Sequence, residues 1–332
     1  MIGYIGYPLL LIASLALILF ACELFTNGIE WAGHKLNLSQ GATGSVLAAA
    51  GTALPETSIP VLALIAGGSG GNDVAVGAIA GAPFMLSTIA FFVTGAAVYI
   101  YSLRGRRERT LNIDAKVKER DLGFFLAVYS VAVLATFVPR GLPRYIIAAC
   151  LSASYVLYLY LSLRHQGEKG GEIEDLHLSS IFKLKHRKRY IFIQVVLSLA
   201  LIVLGAHYFV VAVQRISEVA GVPALLLSLI ITPVATELPE KMNSVLWIRD
   251  GKDTLALGNI TGAMVFQSSF PVAIGVAFTP WDLRGPTMVS AVIAVISAGV
   301  VYLTLKIKKD IPPWILLLGG LFYLAFILYL IF

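Results

Sequence analysis

Long apolar runs separated by short polar segments make up most of the chain. The runs fall at 6–27, 41–66, 74–101, 122–139, 144–163, 190–213, 223–248, 254–279, 287–306 and 313–331. A helix that crosses a bilayer needs about 20 mostly apolar residues, and the runs are close to that length. The pattern predicts an all-α, polytopic membrane protein with about ten transmembrane helices.

The composition agrees with a chain whose surface faces lipid. Of the 332 residues, 13% are charged and 58% are hydrophobic, whereas a soluble domain carries about 25% charged residues. The net charge of +6 does not indicate nucleic-acid binding, because the basic residues of a membrane protein belong first to its cytoplasmic loops. The expected partners are the lipid bilayer and inorganic cations, and the oligomeric state stays open.

The distribution of basic residues predicts the orientation. The loops after odd-numbered spans share one side of the membrane and hold 20 of the 25 Lys and Arg residues, whereas the opposite loops hold four. This bias makes the basic side cytoplasmic and places both termini outside. The segment 164–189 is expected to be a solvated cytoplasmic linker, and the chain to lie in a prokaryotic cell membrane.

An internal repeat relates the two halves of the chain. A shift of 184 residues places "GTALPETSIPVL" (51–62) on "ATELPEKMNSVL" (235–246). Further along, "DVAVGAIAGA" (73–82) resembles "DTLALGNITGA" (253–263). The two segments with the shared Leu-Pro-Glu sequence are called the LPE motifs below.

The repeat predicts the domain organisation. The first five-helix repeat is 1–163, with its motif region at 51–86, and the second is 190–332, with its motif region at 235–267. Because each half has an odd number of spans, the second half enters the membrane from the opposite side. The sequence therefore predicts an inverted repeat with the LPE motifs near the midplane, as in many secondary transporters.

The LPE motifs carry the candidate chemistry. Pro55 and Pro239 each remove a helical hydrogen bond, and the freed carbonyl needs another partner in lipid. Glu56 and Glu240 follow directly, and an intramembrane carboxylate is a functional-site hypothesis by default. Oxygen ligands suit Ca²⁺, so the two symmetric copies favour a cation site over a pair of structural kinks.

Glycine-rich segments follow each LPE motif. "GAIAGA" (77–82) and "GNITGA" (258–263) have the Gly-x-x-x-Gly spacing that lets helices pack closely. We expect them to pack against the interrupted helices, with Asn259 as a polar contributor to the site. Asp73 and Asp253 are expected to cap the helices that they begin.

The second LPE motif also contains an acid and a base. Glu237 and Lys241 are four residues apart, in the favourable Glu-to-Lys order. Inside a membrane such a pair lowers the cost of both charges. If the Lys241 ammonium points inward, it would replace a bound monovalent cation, or release one when its protonation changes. The alternative is that the two side chains only neutralise each other beside the helix break.

Both repeats resemble the alpha repeats of the cation/calcium exchanger superfamily, which includes the sodium/calcium exchangers. The family pattern is close to Gly-Thr-Ser-Leu-Pro-Glu, followed by Gly-Asn-x-x-Gly-Ser-Asn. The resemblance implies alternating access, with Ca²⁺ moving against Na⁺, H⁺ or K⁺ through one central site. It also implies that Glu56 and Glu240 are the central Ca²⁺ ligands and that Thr52 and Thr236 contribute to Na⁺ sites.

The chain departs from the family pattern where Na⁺ ligands are expected. The motif serine is Ala53 in one repeat and Glu237 in the other, and the serine after the second glycine is alanine in both. The downstream Asn or Asp position holds Leu86 in the first repeat and Gln267 in the second. Several side-chain oxygens expected for Na⁺ are therefore missing.

The sequence leads to an antiporter that exchanges Ca²⁺, or a related cation, against Na⁺. Glu56 and Glu240 are expected to bind the divalent cation, Glu237 and Lys241 to adjust the charge, and the following residues to shape the site: Thr52, Thr236, Asn259 and Gln267. A Ca²⁺/H⁺ or other cation/H⁺ exchanger of the same fold is one alternative, and a passive cation channel is another. No enzyme activity or bound cofactor is expected beyond the transported cations.

Overall fold

The computed structural model describes residues 2–35, 54–66, 70–164, 176 and 188–332. Every regular element within these ranges is helical. The helices are α1 Ile2–Lys35, α2 Leu54–Ala66, α3 Gly71–Met85, α4 Phe91–Leu103, α5 Ala115–Leu134, α6 Leu142–Arg164, α7 Lys188–Ala220, α8 Ala224–Thr236, α9 Leu238–Arg249, α10 Asp253–Phe278, α11 Pro286–Lys308 and α12 Pro313–Ile331. A π-helical turn, Leu86–Ala90, follows α3, and a 3₁₀ turn, Ala135–Phe137, follows α5.

The prediction of a polytopic helical membrane protein is confirmed. In the part of the chain that the structure describes, eight helices are long and apolar enough to cross a bilayer. Two shorter apolar segments, Glu56–Ile65 and Ala224–Pro233, lie in the two predicted spans that carry the LPE motifs. Large apolar side chains are exposed along the long helices, on α7 for example Phe192, Ile193, Val196, Leu197 and Val203.

The first compact unit comprises residues 1–74 and 156–224. Helices α1 and α7 pack along their lengths, and α2 packs on α7. The buried Gln194 amide donates to the Leu24 carbonyl at 2.8 Å and to Asn27 Oδ1 at 2.9 Å. A pair of long helices is therefore tied together by buried polar groups as well as by apolar contact.

The second compact unit comprises residues 75–155 and 225–332. Helix α10 packs on α5 and α9, α12 packs on α4, and the π-helical turn contacts α10, α11 and α12. Its interior is rich in small hydroxyl side chains, which let helices approach closely and bond to backbone carbonyls. Each unit combines segments from both sides of the linker 164–189.

The first glycine pair allows α3 to pack closely on α8, as the sequence predicts. A Cβ added at Gly81 would collide with the Leu229 carbonyl and come within 2.7 Å of the Pro233 ring. One added at Gly77 would come within 2.9 Å of Ser228 Cβ. The contact lies inside the second unit, and it joins a glycine-bearing helix to the helix that leads into the second LPE motif.

The second glycine segment has a different neighbour. A Cβ at Gly258 would lie 2.8 Å from Lys118 Nζ on α5. The glycine therefore leaves room for a buried ammonium group, while the helix that carries it packs on α9, the second half of the interrupted helix, as predicted.

Helix α5 begins at Ala115, well before residue 122, where the hydrophobic run starts. Asp114 caps it by accepting from Lys116 N at 3.0 Å and Val117 N at 3.2 Å. The cap fixes the start of the helix at Ala115. The charged residues that precede the hydrophobic run therefore belong to the first turns of α5, and Lys118 and Asp121 among them are buried.

The charges in those first turns are paired inside the second unit. Lys118 and Asp121 are both 2% exposed, and Lys118 Nζ lies 3.5 Å from Asp121 Oδ2. The Thr261 hydroxyl of α10 donates to the same oxygen at 2.9 Å, and Arg120 Nη2 lies 3.1 Å from Asp121 Oδ1. This pairing offsets part of the desolvation cost of burying the two ions.

The prediction that Asp253 caps α10 is wrong. Its carboxylate instead accepts two hydrogen bonds from Arg107, at 2.5 and 2.8 Å, and one from Asn112 N at 2.8 Å. Arg107 also donates to the Ile248 carbonyl at 2.8 Å. The bidentate guanidinium therefore anchors the α4–α5 loop at the junction of α9 and α10.

Gly81→Ala should destabilise the protein by about 1–3 kcal/mol, because the added methyl group overpacks the α3–α8 contact. The measurement is thermal unfolding in detergent. Gly299→Ala is the matched control, since a Cβ there meets nothing within 4 Å and alanine favours a helix by about 0.5–1 kcal/mol. Equal melting temperatures for the two variants would contradict the close packing.

Asp121→Asn should cost about 3–5 kcal/mol, because it leaves the Lys118 ammonium buried without its counter-charge. The double change Lys118→Met with Asp121→Asn should recover most of that loss. Asp250→Asn is the control, because Asp250 belongs to an ion pair with Arg249 that is 38–42% exposed, and it should leave the melting temperature unchanged. A double variant as unstable as Asp121→Asn would argue against a coupled pair.

Candidate cation site

The second LPE motif interrupts a helix at one residue. Helix α8 ends at Thr236, Glu237 has φ −88° and ψ 5°, and α9 begins at Leu238. Pro239 has no N–H, so the helical hydrogen bond to the Ala235 carbonyl is absent. The predicted break is confirmed here, as a local opening of the backbone.

Hydrogen bonds on both sides limit this opening. Glu237 N donates to the Pro233 carbonyl at 3.2 Å, and Lys241 N donates to the Glu237 carbonyl at 3.1 Å. The chain direction is thus kept across the interruption. What the proline creates is a local gap in the backbone hydrogen bonding, with acidic and hydroxyl side chains on either side of it.

The first LPE motif begins a helix at the equivalent residue. Helix α2 starts at Leu54, and α9 starts at Leu238, 184 positions later. Glu56 lies in the first turn of α2 and is 5% exposed. A carboxylate in a first turn is stabilised by the partial positive charge of the helix N-terminus. Thr52 lies outside the described residues.

Glu240 occupies the first turn of α9, in the position that corresponds to Glu56. Its side chain lies outside the described part of the structure. The backbone places the two glutamates at matching positions of matching helices, each in its own compact unit. Their joint coordination of a cation stays a prediction.

Glu237 and Lys241 form a buried ion pair. Lys241 Nζ lies 2.9 Å from Glu237 Oε2, and the two side chains are 8% and 2% exposed respectively. The ammonium also lies 3.5 Å from the Pro233 carbonyl. Glu237 Oε1 is buried and accepts no hydrogen bond from any described residue.

A stripe of hydroxyl groups runs along α8 toward this pair. The Thr236 hydroxyl donates to the Thr232 carbonyl at 3.0 Å, and the hydroxyls of Thr232 and Ser228 are 3.2 Å apart. All three side chains are buried. Sequence reasoning found only Thr236, although the spacing of four residues between the three positions places them on one helix face.

The two candidates on α10 have different surroundings. Asn259 Nδ2 lies 3.3 Å from Ser244 Oγ of α9, and Ser244 in turn donates to the Ala256 carbonyl at 3.1 Å. Asn259 therefore contributes to the packing of α9 on α10. Gln267 is 3% exposed, and its Oε1 has no hydrogen-bond partner among the described residues.

The π-helical turn Leu86–Ala90 was not foreseen from the sequence. It begins at the residue where the family resemblance would place a downstream ligand, and Leu86 is fully buried there. The Ser297 hydroxyl of α11 donates to the Ser87 carbonyl at 2.5 Å. Such turns occur often at functional sites, and they widen the helix so that a carbonyl can bond outside it.

Comparison with known proteins agrees with the fold and the motifs. The family model described as sodium/calcium exchanger protein matches residues 6–164 and 190–332. CaxA from Alkalimonas amylolytica is 24% identical over 271 residues, which are 81% of this chain and 80% of CaxA.

Two solved structures of exchangers are similar over nearly the whole chain. The H⁺/Ca²⁺ exchanger CAX has a TM-score of 0.76 at 17% identity and covers 98% of this chain and 82% of its own. The sodium-calcium exchanger NCX_Mj has a TM-score of 0.59 at 20% identity and covers 98% of both chains. At these identities the likeness establishes the shared fold.

The family match spans both predicted repeats and stops only at the linker between them. The superfamily predicted from the LPE motifs is therefore confirmed. The chain belongs to the sodium/calcium exchanger family, whose members are membrane transporters and not enzymes.

Proposed function

We propose that this protein exchanges Ca²⁺ against Na⁺ by alternating access through a midplane site formed by the two LPE motifs. The observation that carries the proposal is the buried carboxylate of Glu56, in the first turn of a helix that starts at its LPE motif. An ionisable side chain inside a membrane protein is costly to keep there and marks a functional site by default. In the proposed site, a divalent cation is bound by Glu56 together with Glu240, its counterpart in the second repeat.

Each candidate residue has a role in this proposal. Glu56 and Glu240 bind Ca²⁺ directly, because carboxylate oxygens are preferred ligands of this hard cation. Thr236 and its counterpart Thr52 contribute hydroxyl oxygens. Glu237 and Lys241 set the charge of the second half of the site, while Gln267 and Asn259 of α10 contribute amide groups.

Alternating access follows from the inverted repeat. Two five-helix halves, 1–163 and 190–332, with opposite orientations have equivalent open states on either side of the membrane. In this scheme the linker 164–189 is cytoplasmic and both termini are extracytoplasmic, in a prokaryotic cell membrane. The same site then faces each side in turn, and the cations cross in separate steps.

An H⁺-coupled exchanger is the second candidate. Four positions where the family resemblance implies Na⁺ ligands have no side-chain oxygen, namely Ala53, Ala82, Leu86 and Ala263. Loss of those oxygens weakens Na⁺ binding without affecting the glutamates. Exchangers coupled to Na⁺ and to H⁺ share this fold. The two candidates are therefore distinguished by which ion gradient drives Ca²⁺ transport.

Glu56→Gln and Glu240→Gln should each abolish Ca²⁺ transport, because glutamine keeps the size of the side chain and removes its charge. The measurement is uptake of radioactive Ca²⁺ into proteoliposomes, with protein abundance determined in parallel. Glu218→Gln is the matched control, since Glu218 is exposed and pairs with Arg215 at 2.8 Å. Normal uptake in either test variant would remove that residue from the central role.

The coupling ion is tested with the unmodified protein. We expect Ca²⁺ uptake when an outward Na⁺ gradient is imposed at constant pH. Uptake driven only by a pH gradient would overturn the Na⁺ proposal in favour of H⁺ coupling. Uptake that needs no counter-gradient and shows no exchange would indicate a passive channel.

A further inference from the structure

The Glu237–Lys241 pair breaks the symmetry between the repeats. With the shift of 184 residues that aligns the LPE motifs, Glu237 corresponds to Ala53 and Lys241 to Thr57. The second repeat has therefore an added acid and an added base, one helical turn apart, and the first repeat has neither. Because the added acid and the added base have opposite charges, the formal net charge of the second motif equals that of the first.

The ammonium group lies among oxygen atoms at the helix interruption. Lys241 Nζ is 2.9 Å from Glu237 Oε2 and 3.5 Å from the Pro233 carbonyl. One is a carboxylate oxygen, and the other belongs to the last turn of α8 before the interruption. Carboxylate and backbone carbonyl oxygens are the ligands that hard cations take.

Because Glu237 is buried, removing the positive charge of the Lys241 ammonium beside it would cost free energy. Glu237 and Lys241 are 1% and 7% exposed, and removing one member of a buried ion pair leaves the other charge without compensation. Without Lys241, the carboxylate of Glu237 would have to take up a proton or bind another cation, and the salt comparison below distinguishes the two outcomes. A small cation from solution carries the same single charge as the ammonium and is not attached to the chain.

We propose that Lys241 is a tethered cation that fills the monovalent-cation position of the second repeat. The wild-type protein then binds no free Na⁺ or K⁺ between Glu237 and the Pro233 carbonyl. This inference rests on the proposed function, and it deepens it by removing one monovalent cation from the transport cycle. A pair that only neutralises itself, by contrast, leaves no position for a free cation when the lysine is removed.

Lys241→Met tests the proposal, because methionine keeps most of the side-chain volume and lacks the charge. Purified protein in detergent is unfolded thermally in NaCl, KCl or choline chloride at equal ionic strength, with EGTA to remove Ca²⁺. We expect Na⁺ or K⁺, relative to choline, to raise the melting temperature of Lys241→Met by at least about 2–4 °C more than that of wild type. Wild type responds only through the cations that it binds for transport, and the Na⁺ and K⁺ arms identify the ion that the vacated position prefers.

The double variant Glu237→Gln with Lys241→Met is the matched control. It has neither charge of the pair to compensate, so it should fold in choline chloride and respond to Na⁺ and K⁺ no more than wild type does. Lys241→Arg keeps the positive charge and should behave like wild type. If Lys241→Met is folded only when Na⁺ or K⁺ is present, that result also supports the proposal.

Direct binding of radioactive Na⁺ provides a second measurement. Lys241→Met should bind one Na⁺ more per chain than wild type, and the double variant should lose it again. Equal Na⁺ binding by wild type and Lys241→Met, or equal instability of Lys241→Met in all three salts, would overturn the proposal.

Failure of the proposed function gives a different result. Absence of Ca²⁺ uptake by the wild-type protein would count against the exchanger mechanism, whatever the salts do to Lys241→Met. The salt response of that variant, in turn, depends on the Glu237–Lys241 pair and not on transport. The two conclusions are therefore tested separately.

Discussion

A proline within a lipid-embedded helix leaves a carbonyl without its N–H partner, and the hydrocarbon core has no water to replace it. This constraint governs the second LPE motif. The interruption at Glu237 is only one residue long, and flanking bonds from Glu237 N and Lys241 N continue the helix on either side. A polar opening in a bilayer is tolerated because protein surrounds it, so the helices around it must be closely packed and must carry polar side chains in their interior.

The neighbouring helices meet both requirements. Gly77 and Gly81 bring α3 close to α8, the Thr236 hydroxyl donates to the Thr232 carbonyl of its own helix, and the Thr232 hydroxyl pairs with that of Ser228. The buried pair Glu237–Lys241 brings its own counter-charge. The first repeat has Ala53 and Thr57 at the corresponding positions, so its sequence contains no equivalent of this ion pair.

Much of the architecture follows from patterns that the sequence displays directly. Apolar runs indicate the long helices, and the repeated LPE motif indicates where α2 and α9 begin, because proline is favoured in a first helical turn. The buried Glu56 and the Glu237–Lys241 contact also follow from spacing within one segment. These features depend on residues that are close in the chain.

Features that depend on distant residues were not predictable in the same way. Lys118 lies in a charged stretch typical of a solvated loop, and its burial depends on Thr261 and on the space at Gly258, both on α10. Asp253 has the position of a helix cap, but Arg107 competes for it with a bidentate contact. The π-helical turn at Leu86 has an ordinary helical sequence. The hydroxyl that bonds to its Ser87 carbonyl belongs to Ser297 of α11, which is distant in the chain.

The contacts of Arg107 have a consequence for how the second unit can move. Its guanidinium bonds simultaneously to Ile248 at the end of α9, Asp253 at the start of α10 and Thr110 in its own loop. Separating the end of α4 from the α9–α10 turn would break the bonds to Ile248 and Asp253 at a buried charge. The ends of α4, α9 and α10 that meet at Arg107 are therefore costly to separate, and a hinge that opens a path for ions is expected elsewhere along these helices.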